Sequence, residues 1–238
     1  MKLSIVIPCY NESANIPLIL ERFKGVIKRS DVEIVLVNNG STDNSAEVMD
    51  RLLPQYSFAR KVTVTVNQGY GFGILSGLKE SQGEFIGWTH ADMQTDPYDC
   101  IKALGIIEQA SGEKRKKMYV KGNRRGRPLF DQFFTTGMSI FETFYLWTNL
   151  WDINAQPNIF HRSFYESWEN PPYDFSLDLY VLYMARKSNL IIKRFDVIFP
   201  ERIHGESKWN TGFKSKIKFI KRTLAFSKQL KKRLRTNP

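Results

Sequence analysis

The sequence has little of what metal cages and covalent staples require. Its two cysteines, Cys9 and Cys100, stand far apart, and of its three histidines His161 and His204 show no ligand spacing, while His90 stays open as a ligand or a phosphate contact. This excludes a disulfide framework and a Cys/His zinc site, and it fits a reducing compartment. No apolar run approaches the roughly 18 residues that a membrane span needs. The opening stretch, residues 1–8, is too brief for a secretory h-region and is broken by Pro8. A soluble or membrane-peripheral protein of the cytoplasm is therefore expected. Acids are scarce in one place above all. From Glu201 onward twelve basic residues face only Glu201 and Glu206, so this tail carries ten of the net eleven positive charges. Such a tail attracts nucleic acid or anionic lipid, and charge alone does not choose between them.

What is present is enough apolar material for one large domain. Of the 238 residues, 42% are hydrophobic and 13% aromatic, which allows a sizeable core with appended elements. The first half alternates β-rich runs with helical spacing. Strands are predicted at Leu3 to Ile7, Glu33 to Val37, Val62 to Val66 and Phe85 to Trp88. Helices are predicted over residues 16–27, from Asn44 through Leu53, from Ile74, and over 97–109. Alternation of this kind points to a parallel sheet covered on both faces.

The second half is less regular. The charge run Glu113 to Lys117 reads as an exposed loop, and Met118 to Val120 as a strand leading into Gly122-Asn123-Arg124. Residues 133–151 hold seven large aromatics and a single charge, Glu142. Core packing is the expected role of those rings, with a lipid-touching surface as the alternative. Residues 176–187 read as a helix and 190–197 as a strand. After Gly212, Phe213, Ile217, Ile220, Leu224, Leu230 and Leu234 share one helical face, flanked by Phe219 and Phe226 and surrounded by Lys and Arg. That is the pattern of a basic amphipathic helix, either lying on a membrane or docked on the body.

The stretch richest in chemistry follows the fourth strand: Trp88-Thr89-His90-Ala91-Asp92-Met93-Gln94-Thr95-Asp96-Pro97. Pro97 suits the first turn of a helix, so Asp92 sits on a strand-to-helix loop, where open α/β sheets bind ligands. A carboxylate there is a hard oxygen donor for Mg²⁺ or Mn²⁺. A capped, solvated turn is the plainer alternative.

Four stretches in register carry a resemblance. Ile5-Val6-Ile7-Pro8-Cys9-Tyr10-Asn11-Glu12, Asn38-Asn39-Gly40-Ser41-Thr42-Asp43, Asn67-x-Gly69 with Gly77 and Gly83, and His90-Ala91-Asp92-Met93-Gln94 together resemble the family 2 glycosyltransferases of GT-A fold. Gly122-Asn123-Arg124 and Arg202-Ile203-His204-Gly205-Glu206-Ser207-Lys208 narrow the likeness to the dolichyl- and polyprenyl-phosphate sugar synthases, without their transmembrane helices. The resemblance implies a mostly parallel sheet flanked by helices. A Rossmann-like nucleotide-sugar half would cover residues 1–110, an acceptor half 111–211, and a basic C-terminal helix 212–238. It implies inverting transfer of a sugar from a nucleoside-diphosphate sugar to a polyprenyl-phosphate or lipid-linked saccharide, in cell-envelope polysaccharide or glycoconjugate synthesis, at the inner face of the membrane.

By that resemblance Pro8, Tyr10, Glu12, Asn38, Asn67, Gly69, His90 and Asp92 line the nucleotide-sugar site. Asp92 and Gln94 hold a divalent metal, Mn²⁺ or Mg²⁺. Arg124, Arg202 and Lys208 grip a phosphate, and Asp92, Arg202 and Asp178 are the catalytic candidates. Asp178 serves as base only if the acceptor is a hydroxyl, since a lipid phosphate is already anionic. Two departures stand out. Asn38 and Asn39 occupy positions usually held by paired acids, and His90 replaces the first acid of the metal motif. They leave open a catalytically silent binding module or a peripheral scaffold. A nucleic-acid binder is disfavoured, because the body lacks a basic stripe and a recognisable motif.

Overall fold

The computed structural model describes residues 1–127, 129–200 and 213–236. Strands β1 (Leu3–Cys9), β2 (Val32–Asn39), β3 (Ala59–Val64) and β4 (Phe85–Trp88) alternate with helices α1 (Asn15–Val26), α2 (Ser45–Leu52), α3 (Tyr70–Glu80) and α4 (Pro97–Glu108). The second half adds α5 (Gly112–Lys116), β5 (Met118–Arg125), α6 (Leu129–Leu146), β6 (Asn158–His161), α7 (Arg162–Glu166), α8 (Leu177–Lys187), β7 (Ile191–Ile198) and α9 (Phe213–Thr236). One seven-stranded sheet results, in the order β3-β2-β1-β4-β6-β5-β7. Only β6 runs against its neighbours. The pairings of β1 with β2 and β4, of β2 with β3, and of β5 with β7 are all parallel.

The period of two along each strand divides the core. Ile5, Ile7, Ile34 and Leu36 enter one apolar cluster, whereas Val6, Val35 and Val37 enter the other. The chain runs outward from β1 through β2 to β3 and then returns to place β4 on the other side of β1. That reversal puts a topological switch point at the carboxyl ends of β1 and β4, the place where open α/β sheets bind ligands.

Several sequence expectations are corrected here. Helix α3 begins at Tyr70, four residues before the expected start. Gly69 makes the turn at φ 121°, and a Cβ on it would lie 2.4 Å from the Tyr173 carbonyl oxygen. The glycines serve close backbone approach rather than interrupting the helix. The charged 113–117 run is helical, as α5. Residues 129–146 form one long helix with several exposed aromatics: Phe133 is 81% exposed, Phe144 71% and, just beyond the helix, Trp147 84%, whereas Tyr145 packs against the core. The expected core role fails for them, because the inward face of α6 is taken by Ser139, Glu142 and Leu146.

Helix α9 docks on α6 through Thr223, Ser227 and Leu230, with Phe226 partly buried. The expected apolar face is thus rotated toward two hydroxyls. Ser227 Oγ donates to Glu142, 2.8 Å to either carboxylate oxygen, and that contact sets the seam. The side chains of Phe213, Phe219 and Leu234 lie outside the described residues.

Burial pushes the Glu142 carboxyl up to about 7, against the Ser227 hydrogen bond. A carboxyl raised in the fold stabilises below its unfolded value, and that stability is lost as pH rises through about 7. Glu142→Gln should therefore match the wild type near pH 4 and exceed it at pH 8. The difference should reach at most about 3 kcal/mol, read from urea melts at the two pH values. Equal melts at pH 8 would refute it.

Candidate active site at the carboxyl edge of the sheet

Loops after β1 and β2 are stitched together by one residue the sequence reading did not single out. Asn11, at φ 58°, receives the Thr42 N–H at 2.8 Å on its Oδ1 and donates from Nδ2 to Thr42 Oγ1 at 3.1 Å. Its own N–H goes to Ser41 Oγ, 3.1 Å. Asp43 adds bonds from the N–H groups of Ser45 at 2.9 Å and Ser13 at 3.3 Å. Asn and Asp tolerate left-handed backbone and bond nearby amides, which is why this turn-rich pair of loops holds one shape.

Within this frame the expected nucleotide-side residues cluster. Pro8 and Tyr10 are half-buried at the end of β1. Glu12 takes Asn15 Nδ2 at 2.6 Å and opens α1. Asn38 is buried, and its Oδ1 accepts the Ser41 N–H at 3.1 Å. Asn67 Oδ1 accepts the Gly69 N–H at 2.8 Å. Asn39 Nδ2 donates to the Gly69 carbonyl at 3.0 Å. A carboxylate at 39 would have no proton to give, so the amide suits this joint between β2 and α3.

Asp92 is 4% exposed and accepts the Gln94 N–H on Oδ1 at 3.1 Å, closing a turn in which Met93 has φ 60°. Gln94 Nε2 donates to the Pro200 carbonyl at 3.0 Å. The His90 ring meets Phe199 edge-on at 6.3 Å, and the Arg124 guanidinium lies 5.4 Å from the same ring. The end of β7 thus ties the Asp92 loop to the end of β5. Arg202 and Lys208 lie outside the described residues. Among the described residues no three His, Cys, Asp or Glu side chains converge on one point. Mg²⁺-type ions that arrive with a diphosphate need only one or two protein carboxylates, and a buried hard donor at 92 meets that requirement.

Arg124 is not presented as an open claw. Asp152 takes its Nε at 2.9 Å, its Nη2, and its N–H at 2.9 Å, and both side chains are under 10% exposed. Beside this pair is a cavity of about 170 Å³ lined by Arg124, Arg125, Arg127, Thr135, Thr136 and Trp151, among others. Arg127 Nη2 donates to Thr135 Oγ1 at 2.9 Å.

Asp178 lies deeper, 2% exposed at the start of α8. Asn158 Nδ2 is 3.4 Å from its Oδ1, and the Tyr70 hydroxyl and the Trp88 indole beside it favour its ionised form. Lys121, also fully buried, donates to the Ala155 carbonyl at 2.5 Å and to Asn158 Oδ1 at 2.7 Å. Burial drives the Asp178 carboxyl up and the Lys121 ammonium down, each opposed by the other's charge. The sequence does carry a signal for Lys121: it ends the apolar run Met118-Tyr119-Val120 and shares a strand face with Tyr119. Asp152, Asn158 and Gln156 gave no such signal, because they lie in irregular chain or at its edge.

The sequence pattern of Glycosyl transferase family 2 matches residues 4–176. Over 112 residues the chain is 33% identical to the undecaprenyl-phosphate 4-deoxy-4-formamido-L-arabinose transferase of Yersinia enterocolitica, covering 45% of this chain and 34% of that protein. It is 26% identical over 212 residues to the dolichol-phosphate mannosyltransferase of Pyrococcus furiosus, covering 87% and 59%. The chain therefore spans only part of the length of these relatives. Among solved structures, glucosyl-3-phosphoglycerate synthase from Mycobacterium tuberculosis, in complex with Mn²⁺ and UDP-glucose, superposes with a TM-score of 0.69 at 18% identity, covering 95% of this chain and 78% of that one. A mannosyltransferase from Pyrobaculum calidifontis, in complex with GDP-Man and Mn²⁺, gives 0.62 at 19%, covering 87% and 58%. At these identities the structures speak to the fold alone. The sheet order, the stitched loops at its carboxyl edge and the family match agree, and the chain belongs to glycosyl transferase family 2.

Proposed function

We propose that the chain is an inverting, metal-assisted transferase that moves a sugar from a nucleoside-diphosphate sugar to a polyprenyl-phosphate acceptor, working peripherally at the inner face of the membrane. The observation that carries this reading is the buried Asp92 on the strand-to-helix loop after β4, at the carboxyl edge of the sheet. The two relatives named for undecaprenyl- and dolichol-phosphate transfer support the acceptor class. The two neighbours solved with Mn²⁺ and a sugar nucleotide support the donor and the ion.

In this reading the β1 and β2 loops, held by Asn11, bind and orient the nucleotide. Asp92, with Gln94 beside it, would hold the cation, which supplies charge neutralisation on the departing diphosphate. Arg127, with Arg202 and Lys208 from the segment before α9, would take the acceptor phosphate, since guanidinium groups grip phosphate in two places. Asp178 bears on the acceptor. It is enclosed by Tyr70, Asn158 and Lys121 rather than presented at the surface. An acceptor phosphate needs no proton removed, whereas a sugar hydroxyl does.

Two measurements test the reading. With Mn²⁺ present, one among UDP-, GDP-, CDP- and dTDP-sugars at 100 times its Kd should stabilise the protein by about 2.7 kcal/mol. No shift with any of them would overturn the donor assignment. Asp178→Asn, checked by circular dichroism for intact folding, should keep transfer to polyprenyl phosphate within about tenfold. A fall of about 10² to 10⁴ is what loss of a general base produces, and it would point to a hydroxyl acceptor. The lack of acids at Asn38, Asn39 and His90 keeps a silent binding module as the second reading, which predicts the thermal shift without turnover.

A further inference from the structure

Helix α6 has two unlike faces. One carries Ser139, Glu142 and Leu146 and packs inward, where α9 meets it. The other carries Phe133, Ile140, Phe141 and Phe144, and the chain continues from it into Trp147 and Trp151, all exposed. Phe133, Ile140 and Phe144 follow one side of the helix, with Gly137 between them and Phe141 alongside. Monomeric proteins rarely leave a row of large apolar side chains of this kind in water without a partner.

Its surroundings identify the partner. Tyr145 receives Lys231 on its carbonyl oxygen at 2.9 Å, and the same ammonium stands 4.3 Å above the Tyr145 ring. With Glu142 at Ser227 and Tyr145 at Lys231, the two helices advance side by side in the same direction. Lys221, Lys228 and Lys232 of α9 point to solvent. Between Gly126 and Trp151 the only acids are Asp131 and Glu142, and Glu142 is buried. Trp151 both ends the stripe and lines the arginine-bearing cavity. An aromatic face beside a lysine-rich helix, running up to a basic cavity, matches the interfacial layer of an anionic bilayer: rings at headgroup depth, ammonium groups over lipid phosphates.

We propose that the exposed face of α6, with α9 alongside, is a membrane-docking surface for anionic lipid. It holds the mouth of the cavity at headgroup level, where a membrane-resident phosphate would enter. The inference extends the lipid-acceptor reading above, and it is tested without any acceptor. Phosphatidylcholine vesicles with and without phosphatidylglycerol, free of polyprenyl phosphate, are mixed with the full chain and sedimented.

Binding to the anionic vesicles, with a blue shift of tryptophan emission, is the expected result. The pair Phe144→Ser and Trp147→Ser should weaken it by roughly tenfold or more, with an unchanged melting temperature because both rings are already in water. Wild-type failure to bind, or equal binding by the pair variant, would overturn the proposal. The second outcome would leave the lysines of α9 as the sole attachment. A dimer seen by light scattering and lost in the pair variant, without vesicle binding, would overturn it in favour of self-association. The sugar-nucleotide thermal shift, measured on the same two proteins, judges the transferase reading separately.

Discussion

Asp92→Asn is expected to cut sugar transfer by about 100- to 1,000-fold while leaving the fold intact. Asparagine keeps the side-chain oxygen that accepts the Gln94 N–H at 3.1 Å, so the turn at Met93 survives. What it removes is a buried carboxylate charge at the carboxyl edge of the sheet, 4% exposed. In a site of low dielectric, a group aimed at developing charge is worth far more than in water. The sugar-nucleotide thermal shift should become insensitive to Mn²⁺ in the variant, and its unliganded melting temperature should match the wild type. Transfer within a few-fold of wild type would remove Asp92 from the catalytic assignment and return the loop to a capped turn.

The second large effect falls on stability. Asp152→Ala is expected to cost about 3–5 kcal/mol, the range for stranding one partner of a buried ion pair. Asp152 accepts three bonds from Arg124, and the two side chains are 8% and 6% exposed. Its removal leaves a guanidinium next to the cavity with no counter-charge. At about 2–4 °C per kcal/mol for a chain of this size, the melting temperature should drop by roughly 10 °C. Arg124→Met combined with Asp152→Leu should recover most of the loss, because replacing both partners removes the uncompensated charge.

Burial drives the Asp152 carboxyl up, but Arg124 outweighs it and holds the carboxyl below its ordinary value. The wild type should therefore lose this contribution as pH falls below about 4, while the Asp152→Ala variant shows no such loss. A single variant as stable as wild type would show that the pair contributes nothing.

Residue type and spacing alone determined the parallel strands β1 to β4, the helices between them and the position of Asp92 on a strand-to-helix loop, but not the antiparallel β6. Those features rest on local rules: near-continuous β-branched runs along β1 and β2, a period of 3.6 along α1, and Pro97 at a helix start. Four short motifs in order were enough to identify the family, because each sits at the carboxyl end of its own strand.

Only the tertiary structure decided which groups meet. Arg124 reads as a phosphate ligand until Asp152, twenty-eight residues away, takes its guanidinium. Asp178 reads as an available base until Lys121, Asn158 and Tyr70 enclose it. The aromatics of residues 133–151 read as core because hydrophobicity says how strongly a ring prefers apolar surroundings, not which surroundings it finds. Glu142 and Ser227 turn α6 the other way, and Phe133, Phe141, Phe144 and Trp147 are left facing out. Polar pairing between distant residues fixed that orientation, and no periodicity records it.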